Sequence, residues 1–326
     1  MNNLKKVAVI GGGTGTFVDL VGLKNYSIDL SAIITMTDSG GSSGKLRDQY
    51  GVLPPGDIRQ ALIALSDSAK VWRELFLYRF ESGDFSGHNF GNIFLTVLEK
   101  ITQNYEKSIQ LAQQVLKTKG HVIPITLGKT NINAQLDDGS IIKTEALIDQ
   151  KVKRAKINKL YLEKDVPVNP RALNCLRNAE VIVVGPGDLF TSVLPSFMFK
   201  DFVHAYNQSQ AKKVLVLNLM NKLGQTDNFK SSDFFNTYAT YLQQKPFDYL
   251  VINNAPIPEE VKQLYFKSGE SEVINDLKTS DQFTILEGNL VSDSCYEQKA
   301  GDILERSLIR HDSQKLAEFL WQEIIR

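Results

Sequence analysis

Two glycine-rich turns, each directly after a short apolar run, constrain this chain more than any other feature. The first is Gly11-Gly12-Gly13-Thr14-Gly15-Thr16, which follows the apolar residues 7–10. The second is Thr37-Asp38-Ser39-Gly40-Gly41-Ser42-Ser43-Gly44-Lys45-Leu46-Arg47, which follows residues 30–36. Strand, glycine turn, helix, strand, glycine turn is the opening of a doubly wound α/β sheet. A right-handed crossover makes the two strands parallel neighbours and brings both turns to their carboxyl ends. Backbone N–H groups gathered in such turns, with serine hydroxyls beside them, are suited to phosphate. One such loop is a weak signal. Two at consecutive strand ends argue for a nucleotide or a diphosphate.

The rest of the pattern extends this frame. Leu53-Pro54-Pro55-Gly56-Asp57-Ile58-Arg59 marks a turn into a helix, whose apolar positions Ala61, Leu62, Ala64 and Leu65 have helical spacing. Residues 68–114 look mainly helical, interrupted at Gly83 and at the 87–92 turn. From His121 to about Val166 the chain becomes rich in Ile, Val, Thr and Lys, with Asp137-Asp138-Gly139 as a hairpin signal. Apolar, β-branched runs at 181–184, 214–219 and 249–252 then read as strands buried on both faces. Residues 313–325 form a closing amphipathic helix. The expected fold is α/β, Rossmann-like and doubly wound, with a mainly parallel sheet. Residues 1–120 and 167–326 are expected to form its core, and 121–166 a β-rich insertion.

Composition narrows the function classes. The 326 residues are 42 % apolar, enough for a sizeable core. Lys plus Arg and Asp plus Glu are both 37, so bulk charge draws the chain to neither nucleic acid nor an anionic membrane. The first apolar run is too short for a signal-peptide core, and no later one approaches the ~18 residues of a membrane span. Cys175 and Cys295 lack metal-type spacing and read as packed thiols. A cytoplasmic, reducing compartment is the expectation.

Several residues are placed to do chemistry. The first loop departs from the dinucleotide fingerprint, because Thr16 replaces the third glycine. Asp38 stands beyond the second strand, but inside the second loop, which argues against a ribose-binding role. Gly12, Gly13, Thr14 and Gly15 are the first loop's candidate ligand contacts. In the second, Ser39, Gly40, Gly41, Ser42 and Ser43 supply N–H and hydroxyl donors, and Lys45 and Arg47 offset phosphate charge. Asp38 either binds a divalent ion or caps the following turn, and both readings stay open. Asp57 is a metal ligand or base, or else a helix cap paired with Arg59; Arg59 is a candidate phosphate clamp. Gly87-His88-Asn89-Phe90-Gly91-Asn92 places His88 and Asn92 in a turn that lets backbone approach a ligand. The other histidines, His121, His204 and His311, are taken as structural. Gly187, in Gly185-Pro186-Gly187-Asp188, and Asn218 end two further core strands.

Taken together, these strings resemble the CofD-like family, and more closely its YvcK-like branch, whose members are called gluconeogenesis factors. The resemblance rests on GGGTG at 11–15, TDSGGSSGKLR at 37–47, PPGDIR at 54–59, GHNFGN at 87–92, GPGDLFTS at 185–192 and RHD at 310–312. It implies a Rossmann-like core and a nucleotide-containing ligand at the strand ends. CofD members are magnesium-dependent transferases of a phospholactyl-type group from a guanosine diphosphate donor. Carried over, that chemistry gives Asp38 and Asp57 to magnesium, and Asp57 or His88 to the role of base. The YvcK-like branch implies binding of a UDP-sugar such as UDP-N-acetylglucosamine, with no established reaction. It also implies a role in growth on gluconeogenic carbon sources, cell shape and cell-wall synthesis. In that branch a tyrosine and an arginine late in the chain serve the nucleotide-sugar, and the matching positions are Tyr265 and Arg310. A protein partner and a homodimer are implied by the same analogy. Two departures stand out. Asp188 replaces a usual serine, adding negative charge near the expected phosphates, and residues 221–226 read Asn-Lys-Leu-Gly-Gln-Thr where the family has T-Q-P-G-E-T.

Overall fold

The computed structural model describes residues 4–293 and 308–326. Cys295 lies outside the described residues. The apolar run at the start forms β1 (Lys5–Gly11), and α1 (Gly13–Leu23) leads to β2 (Ile28–Ile34). The second glycine loop opens α2 (Gly41–Tyr50), and the Pro-Pro-Gly turn opens α3 (Gly56–Leu65). Three further helices follow: α4 (Lys70–Leu77), α5 (Phe90–Thr102) and α6 (Tyr105–Leu116). Asn89 and Asn104 cap the last two by accepting from backbone N–H groups of their first turns.

β3 (His121–Pro124) pairs in parallel with β2. The expected insertion therefore differs at its start. Val122 and Ile123 are buried in the large sheet, because their apolar side chains complete the edge beside β2. The antiparallel part begins later, with β4 (Ile132–Leu136) and β5 (Ile141–Lys143), joined by the Asp138-Gly139 turn. Asp138 Oδ1 accepts from the Ser140 N–H at 2.9 Å in that turn. A short helix, α7 (Glu145–Ile148), separates them from β6 (Ile157–Leu162), giving a three-stranded sheet ordered β5-β4-β6.

The chain returns through α8 (Pro170–Asn178) to β7 (Val181–Val184), α9 (Lys200–Gln208) and β8 (Lys212–Val216). Next come α10 (Ser231–Leu242), β9 (Tyr249–Asn253), α11 (Glu259–Lys267), β10 (Thr284–Gly288) and α12 (Ser313–Leu320). The seven-stranded sheet runs β10-β9-β8-β7-β1-β2-β3, parallel throughout. Its central strands are apolar without alternation: residues 7–10 and 181–184 are all buried, as layers of helices on both faces require. The helix α12 packs on α1, where Gly22 lets the two backbones touch. Strand order reverses between β1 and β7. In open α/β sheets ligands collect over the carboxyl ends of the strands at such a switch.

Candidate ligand-binding site

Over that switch lies a cavity of about 650 Å³. Gly13, Thr14 and Gly15 form its floor at the end of β1. A methyl group on Gly15 would overlap the Pro186 carbonyl, so only glycine lets the β1 and β7 turns meet. The residues before α1 and α2, Gly12 and Gly40, carry no capping side chain; Asp57 takes the Gly13 N–H at α1, and the start of α2 at Gly41 faces the cavity, a position suited to an anion. Gly187 also lines the cavity, and its carbonyl accepts from Asn218 Nδ2 at 2.8 Å, tying the β7 and β8 ends together.

At the β2 end, Gly40, Gly41, Ser42 and Ser43 face the cavity. Asp38 Oδ1 accepts from the Gly40 N–H at 2.9 Å, so this carboxylate does cap its turn. The 87–92 turn backs this loop. Ser42 Oγ lies 3.2 Å from His88 Nδ1 and accepts from the Asn89 N–H at 3.3 Å. Asn92 Oδ1 accepts from the buried Arg59 at 2.8 Å, which fixes the guanidinium at the cavity wall.

Five expected residues do not line the cavity. Gly12 lies beneath it, against the Asp57 carboxylate and Thr35. Ser39 Oγ accepts from the Ala146 N–H at 2.8 Å, holding α7 instead of a ligand. His88 stands behind Ser42. Lys45 is exposed, and Arg47 donates to Asn131 Oδ1 at 2.7 Å and pairs with Asp48 at 3.0 Å. Once α2 turns its first residues to the cavity, positions 45 and 47 face elsewhere. Neither of the two basic groups expected to offset phosphate charge lines the cavity; Arg59 and Arg79 are the arginines lining this end.

The site is rich in carboxylates. Asp57 reaches back from α3 to accept from the Gly13 N–H at 3.0 Å and from Thr35 Oγ1 at 3.3 Å. Burial, reinforced by the nearby Asp38 charge, pushes its carboxyl up to about 7. Burial raises Asp38 as well, against the Gly40 and Ser43 hydrogen bonds. Glu145, accepting from the Ser39 N–H at 3.1 Å, is raised by burial and then by the charges of Asp38 and Asp149. Among the described residues no group of three or more His, Cys, Asp or Glu side chains is arranged around a metal. Magnesium asks for less: one or two carboxylates, water and substrate phosphates. Asp38 and Asp57, all-oxygen donors destabilised in their charged forms, fit that description.

Beyond the switch the cavity changes character. Lys222, after β8, places its ammonium 2.5 Å from Asp149 Oδ1 and 2.6 Å from Asp188 Oδ2. Burial opposes its charge, but the two carboxylates prevail and its pKa is raised. Lys151 pairs with the buried Glu270 at 3.0 Å. Tyr265 is buried, and its hydroxyl accepts from the N–H groups of Leu308 (2.9 Å) and Ile309 (3.2 Å), anchoring the segment that carries Arg310 and His311. Tyr265, Arg310 and His311 all line the cavity. The sequence carried no local signal for Glu145, Asp149 and Lys151, which the insertion brings over the cavity. His311 was visible beside Arg310 in the Arg-His-Asp string, but a lone histidine offered no reason to place it there.

Residues 7–291 match the family described as 2-phospho-L-lactate transferase CofD. A gluconeogenesis factor from Listeria monocytogenes is 37% identical over 317 residues, covering 97% of this chain and 94% of that protein. Another, from Halalkalibacterium halodurans, is 35% identical over 317 residues, covering 96% and 95%. A crystal structure of a UPF0052-family protein from Bacillus halodurans has a TM-score of 0.89 at 32% identity, covering 98% of this chain and 99% of that one.

Proposed function

The chain belongs to the CofD family, and on that premise we propose that it is a gluconeogenesis factor of the regulatory kind, which binds a UDP-sugar such as UDP-N-acetylglucosamine. The observation that carries this reading is the division of the cavity. Helix starts and glycine turns stand over β1 and β2, where a diphosphate is best held. Across the switch, Tyr265, Asn218 and Asn221 offer the contacts a sugar or base needs. They stand among charges that are paired with one another, Lys222 with Asp149 and Asp188 and Lys151 with Glu270. A volume of about 650 Å³ suits a nucleoside diphosphate sugar. In this role the protein works in the cytoplasm, coupling carbon supply to cell shape and wall synthesis through a protein partner. No helix among the described residues is long and apolar enough to cross a membrane.

The test is titration calorimetry with UDP-N-acetylglucosamine, with and without magnesium, beside Arg310→Ala. Saturable binding that the variant loses, with the ligand recovered intact, supports a sensor. Absence of binding overturns the reading.

One observation favours a second reading, a transferase acting on a nucleoside diphosphate ester. Asp57, poised at about 7 beside Asp38, is matched to proton transfer near neutral pH. Asp38 would hold magnesium, which when bound supplies positive charge to the diphosphate, and Asp57 in this reading stays outside the metal's ligands. Arg59 would steady phosphate oxygens, and Asp57 would take the acceptor hydroxyl's proton. His88, set behind Ser42, is the weaker base. Release of nucleotide from UDP- or GDP-linked donors decides this reading, and its absence across them leaves binding alone.

A further inference from the structure

Away from the cavity, α4 buries a single side chain. Phe76 is fully buried, its ring 5.0 Å from that of Phe94 and 6.3 Å from that of Phe90, and the other seven residues of the helix are exposed. Four of those seven, Val71, Trp72, Leu75 and Leu77, are apolar. Val71, Leu75 and Tyr78, the residue that ends the helix, recur at i, i+4 and i+7 and so share one face, with Trp72 beside them. The apolar face continues into the following turn, where the Tyr78 ring lies 5.1 Å from Phe80 and Phe80 lies 5.4 Å from Phe85. Val71, Tyr78 and Phe85 are each more than half exposed, and Trp72 is 40% exposed. With about 150–250 Å² for a whole aromatic side chain, Val71, Trp72, Leu75, Tyr78 and Phe85 together present on the order of 500 Å² to solvent. That is at the upper end of the about 300–600 Å² of the largest apolar patch on a typical monomer, and such patches are often functional.

We propose that this face is where a second copy of the chain docks, α4 against α4, antiparallel about a two-fold axis. Two observations select a second copy. The first is charge. Lys70 and Glu74 run beside the Val71–Leu75 stripe, 3.5 Å apart, with side chains 83% and 61% exposed. Solvent screens so exposed a pair, which costs little to exchange for another. A two-fold axis near Trp72 sets Val71 toward Leu75 of the partner subunit and Lys70 toward Glu74 of the partner subunit, twice over. Opposite charges one turn apart, beside apolar residues one turn apart, make the face complementary to itself, as an isologous contact requires. The second is area. A stable interface buries about 800 Å² on each side, of which about 56–65% is apolar, and that share is close to what this face exposes.

Sedimentation velocity of the full chain at micromolar concentration tests this. The wild type is expected as a dimer. Leu75→Glu puts a carboxylate from each copy into the stripe and should give a monomer with an unchanged far-ultraviolet circular dichroism spectrum, because residue 75 is exposed in the single chain. Glu74→Lys and Lys70→Glu each set like charges across the axis, and each should weaken the dimer about tenfold. Mixing those two variants brings opposite charges together again, so the mixture should recover the dimer. A monomeric wild type overturns the proposal. A dimer that Leu75→Glu leaves intact overturns it too, since the contact then lies on another face. Charge variants that stay weak when mixed overturn the antiparallel pairing, and they decide the matter should Leu75→Glu fail to fold.

Discussion

Lys222 Nζ lies 2.6 Å from Asp188 Oδ2, which joins the turn after β7 to the 221–226 segment after β8. The Asp188 carboxylate does not stand bare beside the glycine loops; it is matched by the Lys222 ammonium. Asp149, brought from the insertion, completes the group at 2.5 Å. Lys222→Met should therefore leave two carboxylates facing each other without a cation. Both acids are partly exposed and solvent screens them, so the expected loss is about 1–2 kcal/mol, below that of a fully buried pair. In a double-mutant cycle by chemical denaturation, Asp188→Ser should cost less in the Lys222→Met background than in the wild type. Additive losses would show that the pair is not coupled.

The β1 and β7 turns touch at Gly15. Gly15→Ala places a methyl on the Pro186 carbonyl, and no flexible side chain can yield there. Nucleotide-sugar affinity should fall at least tenfold, with Tm lowered by several degrees; unchanged affinity in a folded variant would contradict the close approach.

Asp57 gives the free protein a pH signature. Its folded value is about 7 against an ordinary 3.8, so between about pH 4 and 7 the folded state keeps a proton that the unfolded chain releases. Its contribution therefore favours folding at the acid end, is lost as pH rises through that window, and levels off above 7. Asp57→Asn, whose oxygen can still accept from Gly13 and whose amide can donate to Thr35, should remove this slope. Melting curves from pH 4.5 to 8 should show the variant gaining on the wild type as pH rises, by about 2–4 °C or more at pH 8. A constant difference across the range would mean Asp57 does not titrate there. The difference curve also isolates Asp57 from His311, whose lowered pKa works in the opposite direction.

The Tyr265 hydroxyl holds two backbone N–H groups just before Arg310. Tyr265→Phe keeps the ring but strands both donors, at a cost of about 1–3 kcal/mol. If that hydroxyl positions Arg310, ligand affinity should fall several-fold although the ring face is retained. Binding equal to wild type would confine Tyr265 to packing.

Much of this protein was written in local pattern. The apolar runs at 7–10 and 181–184, without alternation, specify strands covered on both faces. Glycine turns at their ends specify where backbone can approach a ligand. Those features depend on neighbours in the chain, so the parallel α/β architecture and the first wall of the site were legible without coordinates. β10 was not, since its half-exposed residues at the sheet edge lack the apolar run that marks its neighbours. Facing was also hidden. Lys45 and Arg47 share a motif with Ser42 and Ser43, yet the pitch of α2 turns them away, and Arg47 finds Asn131 far along the chain. Glu145, Asp149, Lys222 and His311 came together only when the insertion and the carboxyl-terminal segment closed over the sheet. Sequence thus determined the strands, the turns and the end of the sheet where the cavity opens, because short-range sterics and hydrophobic burial set them. Tertiary structure alone decided which charges meet and which side chains line the cavity, because those depend on contacts between residues far apart in the chain.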